Sequence, residues 1–192
     1  MPVSGLQGIS HCPGRNAIDS AGCQWKRNLR DDLRDLMAGG ANAVLTLVED
    51  CEFARLGVPG FATEIRKTRL VWYHMAIPDM STPGKVFDEA WMRDGARILG
   101  SLRAGERVLV HCAGGLGRSG MIAAKLLTDL GASANHAVSA VRRARPGAIE
   151  TDRQLDYVLN GPPLAAGVAA LHWTTRSDNP AAGPTLRSRR AM

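Results

Sequence analysis

Hydrophobic residues recur along the chain with two different spacings, which predict helices and short strands in alternation. Several segments place apolar residues three or four positions apart and are bounded by capping residues or glycine, as helices are. Runs of β-branched and other apolar residues between them predict strands. The predicted helices cover residues 28–37, 61–67, 85–102, 118–130, 133–145 and 151–159, and the predicted strands cover 43–48, 69–75 and 107–111.

This alternation predicts the fold class. Parallel strands need a crossover between them, usually a helix, so we expect an α/β fold with a mostly parallel central sheet flanked by helices. Residues 76–84 contain two prolines and are predicted to form a loop. The pattern fades at residue 161, where prolines, glycines and alanines become frequent. We therefore expect one globular domain over residues 1–160 and a Pro/Ala/Arg-rich tail over 161–192.

Composition narrows the class of protein. A chain of 192 residues with 45% hydrophobic residues is long and apolar enough to bury a core. No apolar run is long enough to span a membrane, and the first residues lack a secretory signal pattern. The net charge is +6, and half of it lies in the tail, which could also be a docking segment for an anionic partner. The densest basic cluster elsewhere, Arg142, Arg143 and Arg145, ends a predicted helix, so we expect no nucleic-acid binding.

The four cysteines indicate a reducing compartment. Cys12, Cys23, Cys51 and Cys112 form no CxxC pair and no zinc-ligand spacing. In a chain of this size such cysteines are typical of reduced thiols, which predicts a cytoplasmic location and no metal or cofactor.

The most specific segment is HCAGGLGRSG at residues 111–120, between a predicted strand and a predicted helix. Cys112 is followed six positions later by Arg118, and the glycines between them allow backbone N–H groups to approach a ligand closely. A helix N-terminus favours a dianion, and the same field stabilises a thiolate. The guanidinium of Arg118 offers a planar fork for two phosphate oxygens. Together these features predict a phosphate-binding cup with a sulfur nucleophile at its base.

Other interpretations of the loop fit less well. Gly115, Gly117 and Gly120 match the GxGxxG dinucleotide pattern, but Asp129 is too near and Glu150 too far to be its acidic residue. A Walker A loop needs Lys-Ser/Thr after the glycines, and none follows. An inert buried cysteine on a glycine turn would leave the histidine, arginine and serine around it unexplained.

The segment resembles the HCxxGxxR[ST]G signature of cysteine-dependent protein phosphatases of the tyrosine and dual-specificity class. PGR at residues 13–15, LxLVExxE at 45–52, AIPDMSTP at 76–83 and RPGAIET at 145–151 are similar to the kinase-associated (cyclin-dependent kinase-interacting) dual-specificity phosphatases. This resemblance covers roughly residues 5–160. It implies a dual-specificity phosphatase-like fold, with residues 1–160 as the catalytic domain.

The resemblance also implies roles for individual residues. Cys112 would form a phosphocysteine intermediate, Arg118 would bind the phosphate, Ser119 would help the sulfur to leave, and His111 would tune the loop and the thiolate. The cup would be lined by backbone N–H groups of Ala113, Gly114, Gly115, Leu116, Gly117 and Arg118.

A general acid is needed to protonate the leaving oxygen. Asp79 precedes Cys112 by 33 residues in the proline-flanked loop, as the acid of this class does, although Asp beside Pro is also common in plain turns. Asp50 and Asp88 are weaker substitutes. Gln154 either completes a capping box with Thr151 or orients the hydrolytic water, and the sequence leaves both open.

The predicted function is hydrolysis of phosphomonoesters on phosphotyrosine, phosphoserine or phosphothreonine of a protein or peptide. The variable loop positions Ala113, Gly114, Leu116 and Gly117 hold no lysine, which favours protein over phosphoinositide substrates. A phosphoinositide or other non-protein phosphatase and a phosphate-binding adaptor with little turnover remain the alternatives, and the oligomeric state is open.

Overall fold

The chain folds around one parallel sheet. The structure, a computed structural model, describes residues 7–19 and 22–164. In chain order, its elements are β1 (Gln7–Ser10), α1 (Leu29–Ala38), β2 (Ala41–Thr46), α2 (Asp50–Arg55), α3 (Phe61–Ile65), β3 (Val71–His74), α4 (Lys85–Arg103), β4 (Arg107–His111), α5 (Gly117–Asp129), α6 (Ala134–Ala144) and α7 (Asp152–Asn160).

The sheet has the strand order β1-β4-β2-β3, and every neighbouring pair is parallel. The carboxyl end of β4 therefore lies between those of β1 and β2, with His111 opposite Ser10 on one side and Thr46 on the other. In open parallel sheets, ligands bind at the carboxyl ends of the strands. The predicted α/β fold with a parallel sheet is confirmed, and the glycine-rich loop leaves the sheet at this edge.

Helices cover both faces of the sheet and bury two apolar clusters. One cluster joins the sheet to α4, α5, α6 and α7 through side chains such as Phe87, Trp91 and Met121. The other joins it to α1, α2 and α3 through Leu33 and Phe61. With both faces covered, the central strands β2 and β4 are largely buried, which explains their nearly continuous apolar runs.

Three helices begin one residue after the start predicted from the sequence, because the first predicted residue is the N-cap. The side chains of Asn28, Ser133 and Thr151 accept hydrogen bonds from backbone N–H groups of the first turns of α1, α6 and α7. These bonds satisfy donors that the helix itself leaves unpaired.

Two elements were missing from the sequence prediction. Strand β1 has four residues, one of them Gly8, and exists because β4 supplies its hydrogen-bond partners. Helix α2 has six residues and begins with a capping box between Glu49 and Glu52. Strand β3 is also shorter than predicted. Elements this short carry too few periods for a hydrophobic pattern to reveal them.

The structure describes only the first four residues of the predicted tail, 161–164. Helix α7 ends at Asn160, and Leu164 is buried in the core cluster that contains α5 and α7. Residues 165–192, and with them the predicted docking segment, lie outside the described residues. The domain boundary at residue 160 stays a prediction. Within the described ranges, no helix combines the length and the apolar character needed to cross a bilayer.

Candidate active site

The loop after β4 is folded tightly against the chain that follows β1. Gly115 has a φ of 74°, a left-handed conformation that side chains rarely adopt. A Cβ at this position would also collide with the backbone of Ser10 and His11. Glycine is therefore required here both by backbone conformation and by space, as the sequence pattern suggested.

The carbonyl groups of residues 113–116 are held on the outside of the loop. Arg15 Nη1 and the Cys12 N–H both donate to the Ala113 carbonyl, at 3.3 and 3.2 Å. Arg145 donates from Nη2 to the Gly114 carbonyl at 3.4 Å and from Nε to the Gly115 carbonyl at 3.2 Å. The Ile149 N–H donates to the Leu116 carbonyl at 3.3 Å. Since N–H and C=O point in opposite directions across a planar trans peptide, the following N–H groups point into the loop. The result is a cup lined by backbone donors.

Cys112 lies at the base of this cup and is 3% exposed. The Gly115 N–H donates to its Sγ at 3.2 Å, and the Ser119 Oγ lies 3.4 Å from the same sulfur. The sulfur also precedes the N-terminus of α5, where the helix dipole favours negative charge. The Gly115 N–H and the helix N-terminus therefore place partial positive charge beside the sulfur.

Arg118 is buried, and acceptors occupy both terminal nitrogens of its guanidinium. Its Nη1 donates to Glu52 Oε2 at 2.6 Å and to the Ile77 carbonyl at 2.9 Å, and its Nη2 donates to Glu52 Oε1 at 3.0 Å. Asp79 Oδ1 lies 2.9 Å from Nη2. Because Glu52 occupies the Nη1–Nη2 end of the guanidinium, a phosphate would be bound at the Nε–Nη2 edge, in place of the Asp79 contact to Nη2.

Glu52 is as buried as the arginine it holds, with 3% of its side chain exposed. Burial acts to raise the pKa of this carboxyl, but the hydrogen bonds from Arg118 and from the Glu49 N–H outweigh it and hold the pKa below its ordinary value. Glu52 is therefore ionised at neutral pH and fixes the orientation of the arginine.

His111 is neutral and ends a chain of hydrogen bonds that starts on β3. The Trp72 Nε1–H, which can only donate, donates to Thr46 Oγ1 at 2.9 Å, and Thr46 Oγ1 lies 2.8 Å from His111 Nε2. The Cys112 carbonyl, which can only accept, lies 3.3 Å from His111 Nδ1, so the proton of the neutral ring is on Nδ1. Nε2 is then free to accept the Thr46 hydroxyl proton. Complete burial lowers the pKa of His111 to about 3.

The buried histidine predicts how stability depends on pH. His111 must stay neutral in the folded chain but is protonated in the unfolded chain below its ordinary pKa of 6.5, so stability falls as pH drops below that value. Urea unfolding of the wild type should show a loss of about 2 kcal/mol between pH 7 and pH 5 from this site.

The control for this effect is a histidine at the surface. His111→Asn should flatten the pH dependence, whereas the same change at exposed His136 should leave the slope intact. An unchanged slope in the His111 variant would contradict the assignment.

Asp79 and Gln154 come together at the mouth of the cup. Asp79 is half exposed and pairs with Arg118, whereas the substitutes Asp50 and Asp88 are exposed and form no ion pair with that arginine among the described residues. Gln154 is buried and forms the capping box with Thr151, and its Nε2 also donates to the Ser81 carbonyl in the Asp79 loop at 3.3 Å. Capping therefore accounts for its side-chain oxygen, while its nitrogen contacts the loop of the candidate acid.

The sequence analysis missed three residues that shape the cup. Glu52 and Arg15 were quoted only as parts of the similar segments LxLVExxE and PGR. Arg145 was interpreted as a cation at a helix end, but it binds the carbonyls of Gly114 and Gly115. The Glu49-x-x-Glu52 capping pattern was a local signal for α2, although it said nothing about Arg118.

The four cysteines are all free. Burial first, and then the proximity of Cys112, raise the pKa of Cys12 to about 12, so Cys12 remains a thiol at neutral pH. Cys23 and Cys51 are exposed and lie away from the cup.

Comparisons with known proteins agree with this geometry. A profile of the family described as cyclin-dependent kinase inhibitor 3 (CDKN3) matches residues 4–139. The cyclin-dependent kinase inhibitor 3 of Rattus norvegicus is 33% identical over 145 residues, which cover 71% of this chain. The match spans 66% of the rat protein, just under two thirds of its length.

Solved structures show the same fold. Kinase-associated phosphatase, with its catalytic-site cysteine replaced by serine, superposes with a TM-score of 0.69 at 25% identity and covers 85% of this chain and 88% of its own. Tk-PTP in its active form superposes with a TM-score of 0.54 at 33% identity, covering 73% of this chain and 86% of its own. The phosphatase-like fold that the resemblance implied is thereby confirmed. With the profile matching most of its length, the chain belongs to the cyclin-dependent kinase inhibitor 3 family.

Proposed function

We propose that the chain hydrolyses phosphomonoesters on phosphorylated proteins through a phosphocysteine intermediate. The observation that carries this proposal is the position of Cys112, whose Sγ accepts the Gly115 N–H at 3.2 Å inside a cup lined by backbone donors. Arg118 stands at the same cup with its orientation set by Glu52. A nucleophile, a phosphate site and a candidate acid are thus gathered in one place.

In the first step, the Cys112 thiolate attacks phosphorus and forms the S–P bond while the bond to the leaving oxygen breaks. The backbone N–H groups of residues 113–118 and the guanidinium of Arg118 stabilise the charge on the phosphoryl oxygens. As the general acid, Asp79 gives a proton to the leaving oxygen and is left as the carboxylate that acts in the second step. His111 holds the Cys112 carbonyl and takes no part in proton transfer, because it is neutral and its Nδ1 proton is already used.

In the second step, water attacks the phosphorus of phosphocysteine and gives a proton to the Asp79 carboxylate. The S–P bond breaks, and its electron pair returns to the sulfur. The Ser119 hydroxyl and the Gly115 N–H stabilise the departing thiolate from 3.4 and 3.2 Å. Gln154, whose side chain reaches the Asp79 loop at Ser81, supports that loop and is the candidate to orient the water.

A protein substrate is favoured over a lipid by the residues around the cup. The variable positions of the loop carry no lysine that could neutralise additional inositol phosphates. The relatives are named for cyclin-dependent kinases, so a phosphorylated kinase is a suitable protein substrate to test. Because the nucleophile must stay reduced, we place the activity in the cytoplasm.

A release assay tests the function. Phosphate release is measured from phosphotyrosine, phosphothreonine and phosphoserine peptides, from a phosphorylated cyclin-dependent kinase and from a phosphoinositide. Turnover of the protein and peptide substrates supports the proposal. Faster turnover of the lipid would favour a phosphoinositide phosphatase, and tight phosphopeptide binding without release would favour an adaptor.

Asp79→Asn tests the proton donor. Asparagine is similar in size but has no proton to give, so kcat on a phosphothreonine peptide should fall by about 10²–10³-fold. The loss should be much smaller on p-nitrophenyl phosphate, whose leaving group is a weak base and needs little protonation. Asp88→Asn is the matched control and should keep full activity, because Asp88 is exposed on α4 away from the cup. Equal losses on both substrates would contradict the role of Asp79.

A further inference from the structure

A buried cation beside the phosphate cup has no carboxylate partner among the described residues. Arg15, in the segment between β1 and α1, is 8% exposed. Its guanidinium carbon lies 4.8 Å from the centre of the Trp25 ring, and its Nη1 donates to the Ala113 carbonyl at 3.3 Å. Its Nε is buried with no hydrogen-bond partner in the described part of the chain.

This lack of a counter-ion is unusual for a buried arginine. Burying a charge is costly unless the charge is paired. Arg118, the other arginine at the cup, is paired with both Glu52 and Asp79. Arg27, close to Arg15 along the chain, is paired with Asp32. In the part of the chain that the structure describes, the Arg15 guanidinium contacts only a carbonyl and an aromatic face.

The two carboxylates that line a cavity together with Arg15 already have other partners. Arg15, Asp19 and Asp79 line one cavity of about 240 Å³. Asp19 accepts hydrogen bonds from the Trp25 Nε1–H and the Cys23 N–H, both at 2.9 Å. Asp79 pairs with Arg118. The positive charge of Arg15 therefore still requires an anion.

The same cavity reaches the cup. Its wall includes Ala113, the residue after Cys112, and a second cation, Arg55, whose side chain is 66% exposed. Ile18, an exposed apolar side chain, forms part of the rim. Its volume is several times the share of about 30 Å³ that one water takes in the liquid, which is enough for a phosphate or a carboxylate.

We propose that this cavity is a second anion subsite, which binds a phosphate or a carboxylate side chain of the substrate close to the phosphorylated residue. The inference rests on the proposed phosphatase function and specifies its substrate class. Arg15 binds the carbonyl adjacent to Cys112, so the second anion belongs within about two residues of the first, given a Cα spacing of about 3.8 Å. The anion would supply the missing counter-ion of the Arg15 guanidinium.

The test compares three peptides of one sequence: phosphorylated once with neutral neighbours, phosphorylated once with a neighbouring glutamate, and phosphorylated twice. We expect the wild type to prefer the glutamate peptide by about tenfold in kcat/KM, as a charge-assisted bond would give, and the doubly phosphorylated peptide by at least as much. The two acidic peptides distinguish a carboxylate from a phosphate as the second anion. Added salt should reduce both preferences.

Arg15→Gln should bring both preferences close to one, and Arg15→Lys, which keeps the charge, should retain part of them. Arg66→Gln is the matched control: Arg66 also stacks on a tryptophan, Trp72, at 4.9 Å, but away from the cavity, so its variant should keep the preferences. Equal kcat/KM for the three peptides in the wild type overturns the subsite even if no Arg15 variant folds. An unchanged preference for the acidic peptides in Arg15→Gln protein that folds also overturns the subsite.

Binding of the same peptides to Cys112→Ser protein, measured by calorimetry, tests the subsite without turnover. Tighter binding of the acidic peptides supports it, and equal binding overturns it. Failure of the wild type to hydrolyse any peptide or aryl phosphate would instead contradict the proposed function.

Discussion

Cys112→Ser protein is expected to release no measurable phosphate, a loss of roughly 10⁴-fold or more in kcat relative to the wild type. The Gly115 N–H and the Ser119 hydroxyl favour a thiolate at this position, but a serine hydroxyl keeps its proton at neutral pH and has no adjacent base to remove it. His111 cannot serve as that base, because its Nε2 already accepts the Thr46 hydroxyl proton. Phosphate release from p-nitrophenyl phosphate and from a phosphopeptide measures the effect.

The same variant should still fold and bind phosphopeptide, because serine preserves the backbone cup and leaves Arg118 in place. Its thermal unfolding midpoint and its affinity for a phosphopeptide are the accompanying measurements. Cys23→Ser, at an exposed cysteine, is the matched control and should retain full activity. Wild-type turnover by the Cys112→Ser protein would overturn the phosphocysteine mechanism.

Glu52→Gln is expected to have the second largest effect, on both stability and activity. The change removes the negative charge that faces a buried guanidinium, and breaking such a pair by removing one partner costs about 3 kcal/mol or more. Arg118 keeps Asp79 and the Ile77 carbonyl as partners, so it should shift toward Asp79. Because small displacements of a phosphate-binding group are costly, kcat/KM should fall by about 10²-fold.

The pH dependence gives this prediction a sign. The pKa of Glu52 is lower in the folded chain than its ordinary value of 4.5, so its stabilising contribution is complete above that pH and disappears as pH falls further. The difference in unfolding free energy between wild type and Glu52→Gln should therefore be largest near neutral pH and shrink below pH 4.5. Urea unfolding at a series of pH values measures it.

Glu64→Gln provides the matched control, since Glu64 also makes two hydrogen bonds to one arginine, Arg30. That pair lies at the surface, where water and salt screen it, so its loss should have little effect on stability and none on activity. Equal destabilisation by the two variants would contradict the importance of burial at Glu52.

The catalytic loop was predictable because its residues are consecutive. Cys112, the glycines after it and Arg118 lie within one strand–loop–helix unit, and each has a local physical reason to be there. The long helices were predictable for a similar reason, since many turns of α4 and α5 repeat the same apolar spacing. The loop that holds Asp79 was predictable as well, because proline on either side of the segment predicts a loop after a strand. The role of Asp79 as the acid came from the family resemblance and stays a prediction.

What orients these groups is distant in sequence. Glu52 meets Arg118 only because β2 and β4 are neighbours in the sheet, which places α2 beside the loop. Arg145 and Arg15 approach the loop carbonyls from α6 and from the segment after β1. Neither periodicity nor a local motif carries information on such contacts, because they depend on strand order.

The amino-acid sequence by itself determined the chemistry of this protein: a cysteine and an arginine joined by a glycine loop at a helix N-terminus, in an α/β chain. The tertiary structure decided which charges are balanced. It gave Arg118 two carboxylates, left Arg15 with none among the described residues, and kept His111 neutral through Thr46 and complete burial. The physical reason is that local conformation follows from residues that are neighbours in sequence. The interaction energy of a charged group instead depends on its burial and on partners that only the folded chain brings together.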